Sequence, residues 1–397
     1  MNQSVSTAEN STADVDTCKG VAVLGSTGSI GVSTLQVAAE LPERVRLTGL
    51  SAHRNLDLLV QQVNQFKPQW IVATDPQAAE SYKWPALPGT ELLVGHQQLE
   101  KVVARPEVDI VVAAIVGIAG LPSTVAAIGS GKTIALANKE TMVAAGPLVM
   151  QMAADTGANI LPVDSEHNAI FQCLRAGRRD EVTRVCLTAS GGPFRNFSRQ
   201  EMDSVTPEQA MAHPTWDMGQ KISVDSATMM NKALEIIEAK WLFELSADQI
   251  EVVVHPQSIV HSLVEFADGS VIAQLSPPDM KLPIQYALTW PDRVTGPARR
   301  MMFQEAMSLD FSPPDIGRFP AVALGLQVAR QGGTSGAVLN AANEAAVAAF
   351  LDHRIGFSDI VRACQEILQQ HAFEAHPTMP QIIAADHWAR EEINKWI

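Results

Sequence analysis

Cysteine is scarce in this chain of 397 residues, with only four present, at positions 18, 173, 186 and 364. They form no CxxC pair, so the sequence has no zinc-binding signature. Scattered cysteines are typical of a reducing compartment, and we expect a cytoplasmic protein. Residues 1–18 are rich in serine, threonine, asparagine and aspartate. They are predicted to be a disordered tail rather than a targeting signal.

Positive charge is also in short supply. The 29 lysines and arginines face 43 aspartates and glutamates, which gives a formal net charge of −14. This balance argues against a nucleic-acid partner or an anionic membrane surface. No apolar run is long enough to span a bilayer. A phosphorylated metabolite remains compatible with the charge, because one basic group and a helix N-terminus can bind it.

A short acidic stretch, LPVDSEHNAIF at 161–171, carries Asp164 and Glu166 two positions apart. If residues 161–166 are extended, both side chains project to the same face of the strand. Two oxygen ligands then converge on one point, as a hard divalent cation requires. The alternative is a strand end that leads into a helix, with Asp164 or Ser165 as N-cap and Glu166 in the first turn.

A glycine-rich turn, GSTGSIG at 25–31, lies between a short buried strand at 21–24 and an amphipathic run at 33–40. Strand, glycine turn and helix form the context in which a dinucleotide pyrophosphate binds at a helix N-terminus. The spacing is GxxGxxG rather than the commoner GxGxxG.

The second predicted strand, at 45–52, should end beside the adenosine ribose. NAD-specific sites usually carry an acidic residue there, whereas this chain has Ser51-Ala-His-Arg-Asn55. Arg54 can contact a 2′-phosphate, and this segment contains no carboxylate to repel it. The sequence therefore favours NADP(H), although Arg54 could instead be a solvated loop residue.

Further strands are predicted at 70–73, 109–114 and 133–137, and the last of them is followed by Asn138, Lys139 and Glu140. Polar groups at the carboxyl ends of parallel strands face the ligand crevice. Asn138 and Glu140 could contact the nicotinamide half of the cofactor, and Lys139 the substrate. Each residue taken singly is equally typical of a helix cap or a surface charge.

The middle of the chain combines anion-binding and lid-like features. A strand at 184–188 leads into ASGGPF, whose amides and hydroxyl can hold an anion. The polar segment 195–219 is predicted to be a loop, and Trp216 and Met218 suit a lid that closes over a ligand. These two side chains could equally anchor the loop to the core.

A continuous helix is predicted over 222–245, headed by Ser223 and Ser226. On one of its faces Asn231 and Glu235 are four residues apart, and Lys232 lies three residues before Glu235. Such a stripe can serve a phosphate and supply a third carboxylate for magnesium or manganese. The alternative is a solvated face with one weak ion pair.

Three antiparallel strands are predicted at 251–254, 260–266 and 271–275, with a turn at Asp268-Gly269. No chemistry is assigned to this sheet, whose face or edge is a candidate dimer surface. His255 and His261 are predicted to be structural.

Eight blocks of the sequence closely resemble, in order, those of the 1-deoxy-D-xylulose 5-phosphate reductoisomerases, a family of the methylerythritol phosphate route to isoprenoids. They are GSTGSIG, ALANKE, LPVDSEHNAIF, SGGPF, HPTWDMG, KISVDSATMMNKALEIIEA, HPQSIVHS and LNAANEAAVAAF. The similarity covers essentially the whole chain from about Gly20. One departure is His53, because the family often has glycine at this position.

The resemblance implies a role for each matched residue. The cation, Mg²⁺ or Mn²⁺, would be held by Asp164, Glu166 and Glu235, which together with Lys139 form the predicted catalytic set. The predicted substrate-binding residues are Lys139, Ser165, Glu166, Ser190, His213, Trp216, Met218, Ser226, Asn231, Lys232 and Glu235. The predicted NADPH-binding residues are Thr27, Gly28, Ser29, Ile30, Arg54, Asn55, Asn138, Glu140 and Gly219.

The length and composition, with 46% hydrophobic and 18% charged residues, indicate a soluble globular protein of two or three domains. We predict an α/β protein in several parts. These are the disordered tail at 1–18, a Rossmann-type NADPH-binding domain at 19–163, a central α+β catalytic and dimerisation domain at 164–290 with a flap at about 194–219, a linker at 291–320 and a C-terminal helical bundle at 321–397.

The implied reaction is a metal-dependent rearrangement of 1-deoxy-D-xylulose 5-phosphate, followed by reduction with NADPH to 2-C-methyl-D-erythritol 4-phosphate, in a homodimer. Two other functions agree with parts of the sequence. An NADP-dependent dehydrogenase of another small carbonyl substrate would use the glycine turn but leave the acidic residues without a role. A nucleotide-sensing protein would retain the fold without catalysis.

Overall fold

The computed structural model of the chain describes residues 18–212, 215–216 and 218–397. Its strands are β1 (Lys19–Leu24), β2 (Val45–Ala52), β3 (Trp70–Ala73), β4 (Glu91–Val94), β5 (Ile110–Ala113), β6 (Thr133–Leu136), β7 (Ile160–Pro162), β8 (Val182–Ala189), β9 (Ile250–Val254), β10 (Val260–Phe266) and β11 (Val271–Leu275). Its α-helices are α1 (Ser29–Glu40), α2 (Leu56–Phe66), α3 (Pro76–Ser81), α4 (Gln98–Val103), α5 (Leu121–Gly129), α6 (Lys139–Thr156), α7 (Ser165–Cys173), α8 (Arg199–Met202), α9 (Pro207–Met211), α10 (Gln220–Thr228), α11 (Met230–Leu242), α12 (Lys281–Thr289), α13 (Ala321–Gln331), α14 (Ser335–Leu351), α15 (Phe357–Gln370) and α16 (Met379–Trp396).

The first seven strands form one parallel sheet in the order β4-β3-β2-β1-β5-β6-β7. β1 is central and fully apolar from Val21 to Leu24, as expected for a strand covered by helices on both faces. The strand order reverses between β1 and β5, and ligands of open α/β sheets bind at such a switch point. The predicted α/β fold with a parallel sheet is confirmed.

The second sheet has the order β11-β10-β8-β9. β10 pairs antiparallel with both β11 and β8, whereas β9 pairs parallel with β8. The prediction that 251–254 is part of an antiparallel set was therefore wrong. Helices α8 to α11 lie between β8 and β9 in the chain, and a long crossover of this kind returns the chain in the parallel direction.

The predicted helical C-terminal region is confirmed as α13 to α16, which extend the core around α11. A β-carbon on Gly325 of α13 would lie 2.5 Å from the Cα of Ala233, so the two helices approach backbone to backbone. This close packing fixes α11, whose opposite face carries polar side chains. Within the described part of the chain, no helix is long and apolar enough to cross a bilayer. The disordered tail predicted for 1–18 lies outside the described residues, except for Cys18.

Candidate active site

The glycine-rich turn follows β1 at the switch point and opens into α1. Gly25 has φ +85°, and a β-carbon there would lie 2.7 Å from the carbonyl oxygen of Ala114 on the neighbouring strand end. A β-carbon on Gly31 would lie 2.3 Å from the carbonyl oxygen of Gly25, so only glycine lets α1 begin this close to the turn. Ser29 and Ile30 of the first turn line a cavity of about 330 Å³.

Arg54 lies two residues beyond β2, and a carboxylate from outside the segment 51–55 stands beside it. Its Nε donates to Oδ2 of Asp75 at 2.8 Å. Asp75 follows β3, which is the parallel neighbour of β2, so the two strands deliver Arg54 and Asp75 to the same edge of the sheet. The segment 51–55 contains no acidic residue, and the acid comes from the next strand.

The strand end after β6 holds the three polar residues predicted there, and they play different structural parts. Asn138 caps α6 and donates to the carbonyl oxygens of Ile115 at 2.5 Å and Gly117 at 2.9 Å. Glu140 is buried and accepts from Lys221 Nζ at 3.2 Å. Of the three, Lys139 lines the cavity, whereas Asn138 and Glu140 lie behind its wall.

The three predicted metal ligands come together. One carboxylate oxygen each from Asp164, Glu166 and Glu235 lies within 4.8 Å of the others. Of the two local structures considered, residues 161–166 do not form the extended strand, because β7 ends at Pro162 and α7 begins at Ser165. Asp164 is the N-cap residue and Glu166 lies in the first turn, so the alternative local structure is correct and the carboxylates still converge.

Two buried lysines neutralise part of this acidic cluster. Lys232 Nζ donates to Glu166 Oε1 at 2.7 Å and also to Glu235. Lys139 Nζ donates to Asp164 Oδ2 at 2.7 Å and to Asn231 Oδ1 at 2.6 Å. Three carboxyl groups therefore share two ammonium groups, so the cluster carries excess negative charge when all three are ionised.

The pKa values of the acidic cluster follow from burial and from these neighbours. Burial raises the pKa of Glu235 to about 8, and the Glu166 carboxylate acts in the same direction. Burial also acts to raise the pKa of Asp164, but Lys139 and His167 outweigh it and hold that pKa well below its usual value. A cation between these oxygens would stabilise the charged form of Glu235 and supply the missing positive charge.

A second acidic cluster, which the sequence did not suggest, lies directly behind the first. Asp164, His167 and Glu238 also bring three possible ligand atoms within 4.8 Å of one another. His167 and Glu238 are buried, and neither lines the cavity. His167 Nε2 lies 3.0 Å from the carbonyl oxygen of Glu235, so the second cluster contacts the backbone of a residue of the first. Of these two clusters, the one formed by Asp164, Glu166 and Glu235 opens to the cavity.

The single helix predicted over 222–245 is two helices, because Met229 adopts a left-handed conformation with φ +62° between α10 and α11. This break lets both helices present polar side chains to the cavity, including Ser226, Asn231 and Lys232. Ser190, which follows β8, lines the same cavity. The glycines after it have φ +81° and +67°, and a β-carbon on Gly192 would lie 2.7 Å from the carbonyl oxygen of Ser226.

The flap predicted at about 194–219 is only partly a loop. It contains α8 and α9, whose capping boxes pair Ser198 with Glu201 and Thr206 with Gln209. These S/T-x-x-E/Q spacings were readable in the sequence and account for the missed helices. Trp216 and Met218 line the cavity. His213 lies outside the described residues.

Seven of the nine predicted cofactor residues do not line the cavity, namely Thr27, Gly28, Arg54, Asn55, Asn138, Glu140 and Gly219. Asn55 instead caps α2. Sequence reasoning missed Ser258 and His261, which do line it, together with Asp279 and Met280. The His261 ring lies 6.3 Å from that of Trp216. The HPQSIVHS block was the available signal. It was given no chemistry because strand periodicity alone does not show which sheet face meets a cavity.

Known families match this chain along most of its length. Three family models match it: 1-deoxy-D-xylulose 5-phosphate reductoisomerase over residues 21–146, its C-terminal domain over 160–243, and the DXP reductoisomerase C-terminal domain over 275–392. The reductoisomerase of Nitrosococcus oceani is 49% identical over 390 residues, which cover 95% of this chain and 99% of that protein. The reductoisomerase of Heliobacterium modesticaldum is 50% identical, covering 94% of this chain and 96% of that protein.

Solved structures of the same family share the whole fold. The reductoisomerase from Zymomonas mobilis in complex with NADPH superposes with a TM-score of 0.88 at 44% identity, covering 96% of this chain and 99% of that one. A DOX-P reductoisomerase in complex with NADPH, fosmidomycin and magnesium gives a TM-score of 0.88 at 42% identity, covering 95% of this chain and 98% of that one. The chain therefore belongs to the 1-deoxy-D-xylulose 5-phosphate reductoisomerase family.

Proposed function

We propose that this protein converts 1-deoxy-D-xylulose 5-phosphate to 2-C-methyl-D-erythritol 4-phosphate with NADPH and a divalent cation. The observation that carries this proposal is the convergence of Asp164, Glu166 and Glu235 on one point of a cavity. The first turn of α1, at the dinucleotide-binding edge of the parallel sheet, lines the same cavity. A carbonyl substrate in this cavity can therefore contact the cation held by the carboxylates and the nicotinamide of the dinucleotide at the same time.

The donor set fits magnesium or manganese. Carboxylate oxygens are the ligands that these hard cations prefer, and three of them leave room in the coordination shell for substrate oxygens. When bound, the cation supplies Lewis-acid polarisation of the substrate and NADPH supplies the hydride. Lys139 and Lys232 hold the carboxylates in place, since each ammonium group bonds directly to at least one of them.

The substrate phosphate would bind where Ser190, Ser226, Asn231 and Lys232 line the cavity wall. Two hydroxyls, an amide and an ammonium group supply donors for phosphate oxygens. Ser165 and Lys139 line the wall nearer the carboxylates and would hold the substrate's hydroxyl oxygens. Trp216 and Met218 would cover the bound substrate and exclude water, with His213 beside the phosphate.

NADPH would lie along the carboxyl edge of the parallel sheet. The α1 N-terminus, with Thr27, Gly28, Ser29 and Ile30, would hold the pyrophosphate, and Arg54 and Asn55 the 2′-phosphate side. Asn138, Glu140 and Gly219 belong to the nicotinamide side. Because Asn138 bonds to the backbone of residues 115 and 117, its contribution would be to shape that loop.

A single assay tests the proposed function. We expect loss of NADPH absorbance when the protein is mixed with 1-deoxy-D-xylulose 5-phosphate and Mg²⁺ or Mn²⁺, and no loss after treatment with a chelator. Oxidation of NADPH that is independent of the metal would favour a simple dehydrogenase, because the acidic cluster would then have no part. NADPH binding without any turnover would favour a nucleotide sensor.

We further propose that the protein is a homodimer paired through the edge of the second sheet. β11 is an edge strand, and Val271 and Ile272 are 51% and 38% exposed. Apolar side chains on an open edge strand are typical of a surface that pairs with another strand. Sedimentation velocity should give twice the mass of one chain, and Ile272→Lys should shift the protein toward monomer. A monomeric unsubstituted protein would contradict the proposal.

We also propose a cytoplasmic location, because all four cysteines are free thiols. Cell fractionation would check this location.

A further inference from the structure

The carboxylate of Asp75 is bonded to Arg54, the residue proposed to bind the 2′-phosphate of the cofactor. Its Oδ2 accepts from Arg54 Nε at 2.8 Å, and Nε2 of His53 lies 3.9 Å from the same oxygen. Arg54 and His53 are largely exposed, with 76% and 65% of their side-chain surfaces accessible, whereas the Asp75 side chain is only 13% exposed. The two basic groups can therefore reorient toward a ligand more readily than the acid can.

Asp75 is fixed in place by the start of α3. Its Oδ1 accepts from the backbone N–H groups of Gln77 at 3.0 Å and Ala78 at 3.2 Å, which makes it the N-cap of that helix. The Arg54 guanidinium and these amides hold the pKa of Asp75 below its ordinary value. Asp75 is therefore ionised at neutral pH, where an ordinary aspartate already carries its charge.

We propose that Asp75 is a specificity-determining residue that weakens NADPH binding by competing for Arg54 and by repelling the 2′-phosphate, and so narrows the preference for NADPH over NADH. This inference rests on the proposed NADP site. A dianionic phosphate must draw Arg54 away from a carboxylate that cannot follow it. NADH lacks the phosphate, and the same carboxylate can accept a hydrogen bond from its 2′-hydroxyl.

The opposite effect, in which Asp75 assists NADPH by ordering Arg54, is the weaker one. An exposed ion pair contributes little, because solvent screens it and its long side chain remains mobile. The repulsion acts on a ligand with nearly two negative charges at the same site. Removing the charge should therefore tighten NADPH binding.

Asp75→Asn is the direct test, because asparagine keeps an N-cap oxygen for α3 and removes only the charge. We expect the Kd for NADPH, measured by fluorescence titration, to fall about tenfold, the size expected for removing one charge about 6 Å from a dianion in a solvated site. The Kd for NADH should stay the same or rise. The gain for NADPH should shrink at high salt, which a purely structural effect would not do.

Asp292→Asn is the matched control. Asp292 pairs with Arg44 at 2.9 Å, also on the surface, and Arg44 directly precedes β2 while Arg54 follows it. The substitution changes net charge equally at the far end of the same strand, so both Kd values should be unaffected. Asp75→Ser also keeps a capping oxygen, and it replaces Asp75→Asn in the test if the asparagine variant has a lowered Tm.

An unchanged or weaker affinity for NADPH in both Asp75 variants, with folding intact, would overturn this inference and leave the proposed function standing. If the unsubstituted protein binds no NADPH at all, both proposals fail.

Discussion

Glu235→Gln is expected to abolish metal-dependent turnover, with kcat/KM lower by about a thousandfold, because several kcal/mol of charge stabilisation at the reacting oxygens would be lost. Glu235 is buried within the acidic cluster, and glutamine keeps its shape but not its charge. The fold should survive the change, since the new side chain retains an acceptor oxygen toward Lys232. NADPH should bind with unchanged Kd, because Glu235 belongs to the second half of the chain and not to the glycine turn.

Glu238→Gln is the matched comparison for this prediction. Glu238 lies one turn further along α11 and is equally buried, but it belongs to the rear cluster with His167 and does not line the cavity. Steady-state kinetics with titrated Mg²⁺ should show a much smaller loss than for Glu235→Gln. If the two variants fell in the opposite order, the cation site would have to be moved to the rear cluster.

Lys232→Met should lower both stability and substrate affinity. The substitution leaves Glu166 and Glu235 without their shared partner, and breaking a buried ion pair by removing one member typically costs about 3–5 kcal/mol. We expect a decrease of about 3 kcal/mol in the free energy of unfolding, measured in urea without metal, and partial recovery on adding Mg²⁺. The KM for the phosphorylated substrate should rise steeply, because Lys232 lines the part of the cavity wall where the phosphate is proposed to bind.

Lys240→Met provides the control on the same helix. Lys240 Nζ donates to the backbone oxygen of Ala329 at 2.5 Å and lies 4.2 Å from the centre of the Trp241 ring, away from the cavity. Its loss should have a modest effect on stability and none on the KM for substrate. An unaltered substrate KM in Lys232→Met would remove Lys232 from the phosphate site, and Mg²⁺ without effect on its stability would count against the shared cation.

The two lysines and the three carboxylates together explain how a buried acidic site is tolerated. Burial and mutual repulsion favour the neutral acids, and they raise the pKa of Glu235 even with both lysines present. Lys139 and Lys232 are themselves buried, and the carboxylates raise the pKa of both above its usual value, so each remains an ammonium group. Lys139 thus helps to keep Asp164 ionised, whereas the charged form of Glu235 would be favoured further by a bound cation.

Local patterns were sufficient for much of the fold. The strands predicted at 45–52, 70–73, 260–266 and 271–275 are confirmed as β2, β3, β10 and β11. Side-chain alternation and short apolar runs depend on neighbours along the chain, which a sequence displays directly. The glycine turn is equally local, because the positive φ at Gly25 and the close approach at Gly31 are needed by residues within one turn of each other.

The predictions of secondary structure and strand direction were wrong where contacts between distant parts of the chain decide the local structure. The parallel direction of β9 depends on the helical crossover before it, and the break at Met229 depends on how α10 and α11 pack around the cavity. At Glu166 the sequence left a strand and a helix start open, and the structure has the helix start. Two conformations of that stretch bring the acids together, so their spacing alone could not separate a strand from a helix start.

The amino-acid sequence by itself determined which side chains are available: a glycine turn for a dinucleotide, an acidic pair followed by a third carboxylate, and lysines at fixed steps from them. Only the tertiary structure decided which of these groups meet. Arg54 and Asp75 are separated by 21 positions, and Glu235 lies on a different helix from Asp164. Charges act through distance in space, and strand pairing and helix packing set that distance.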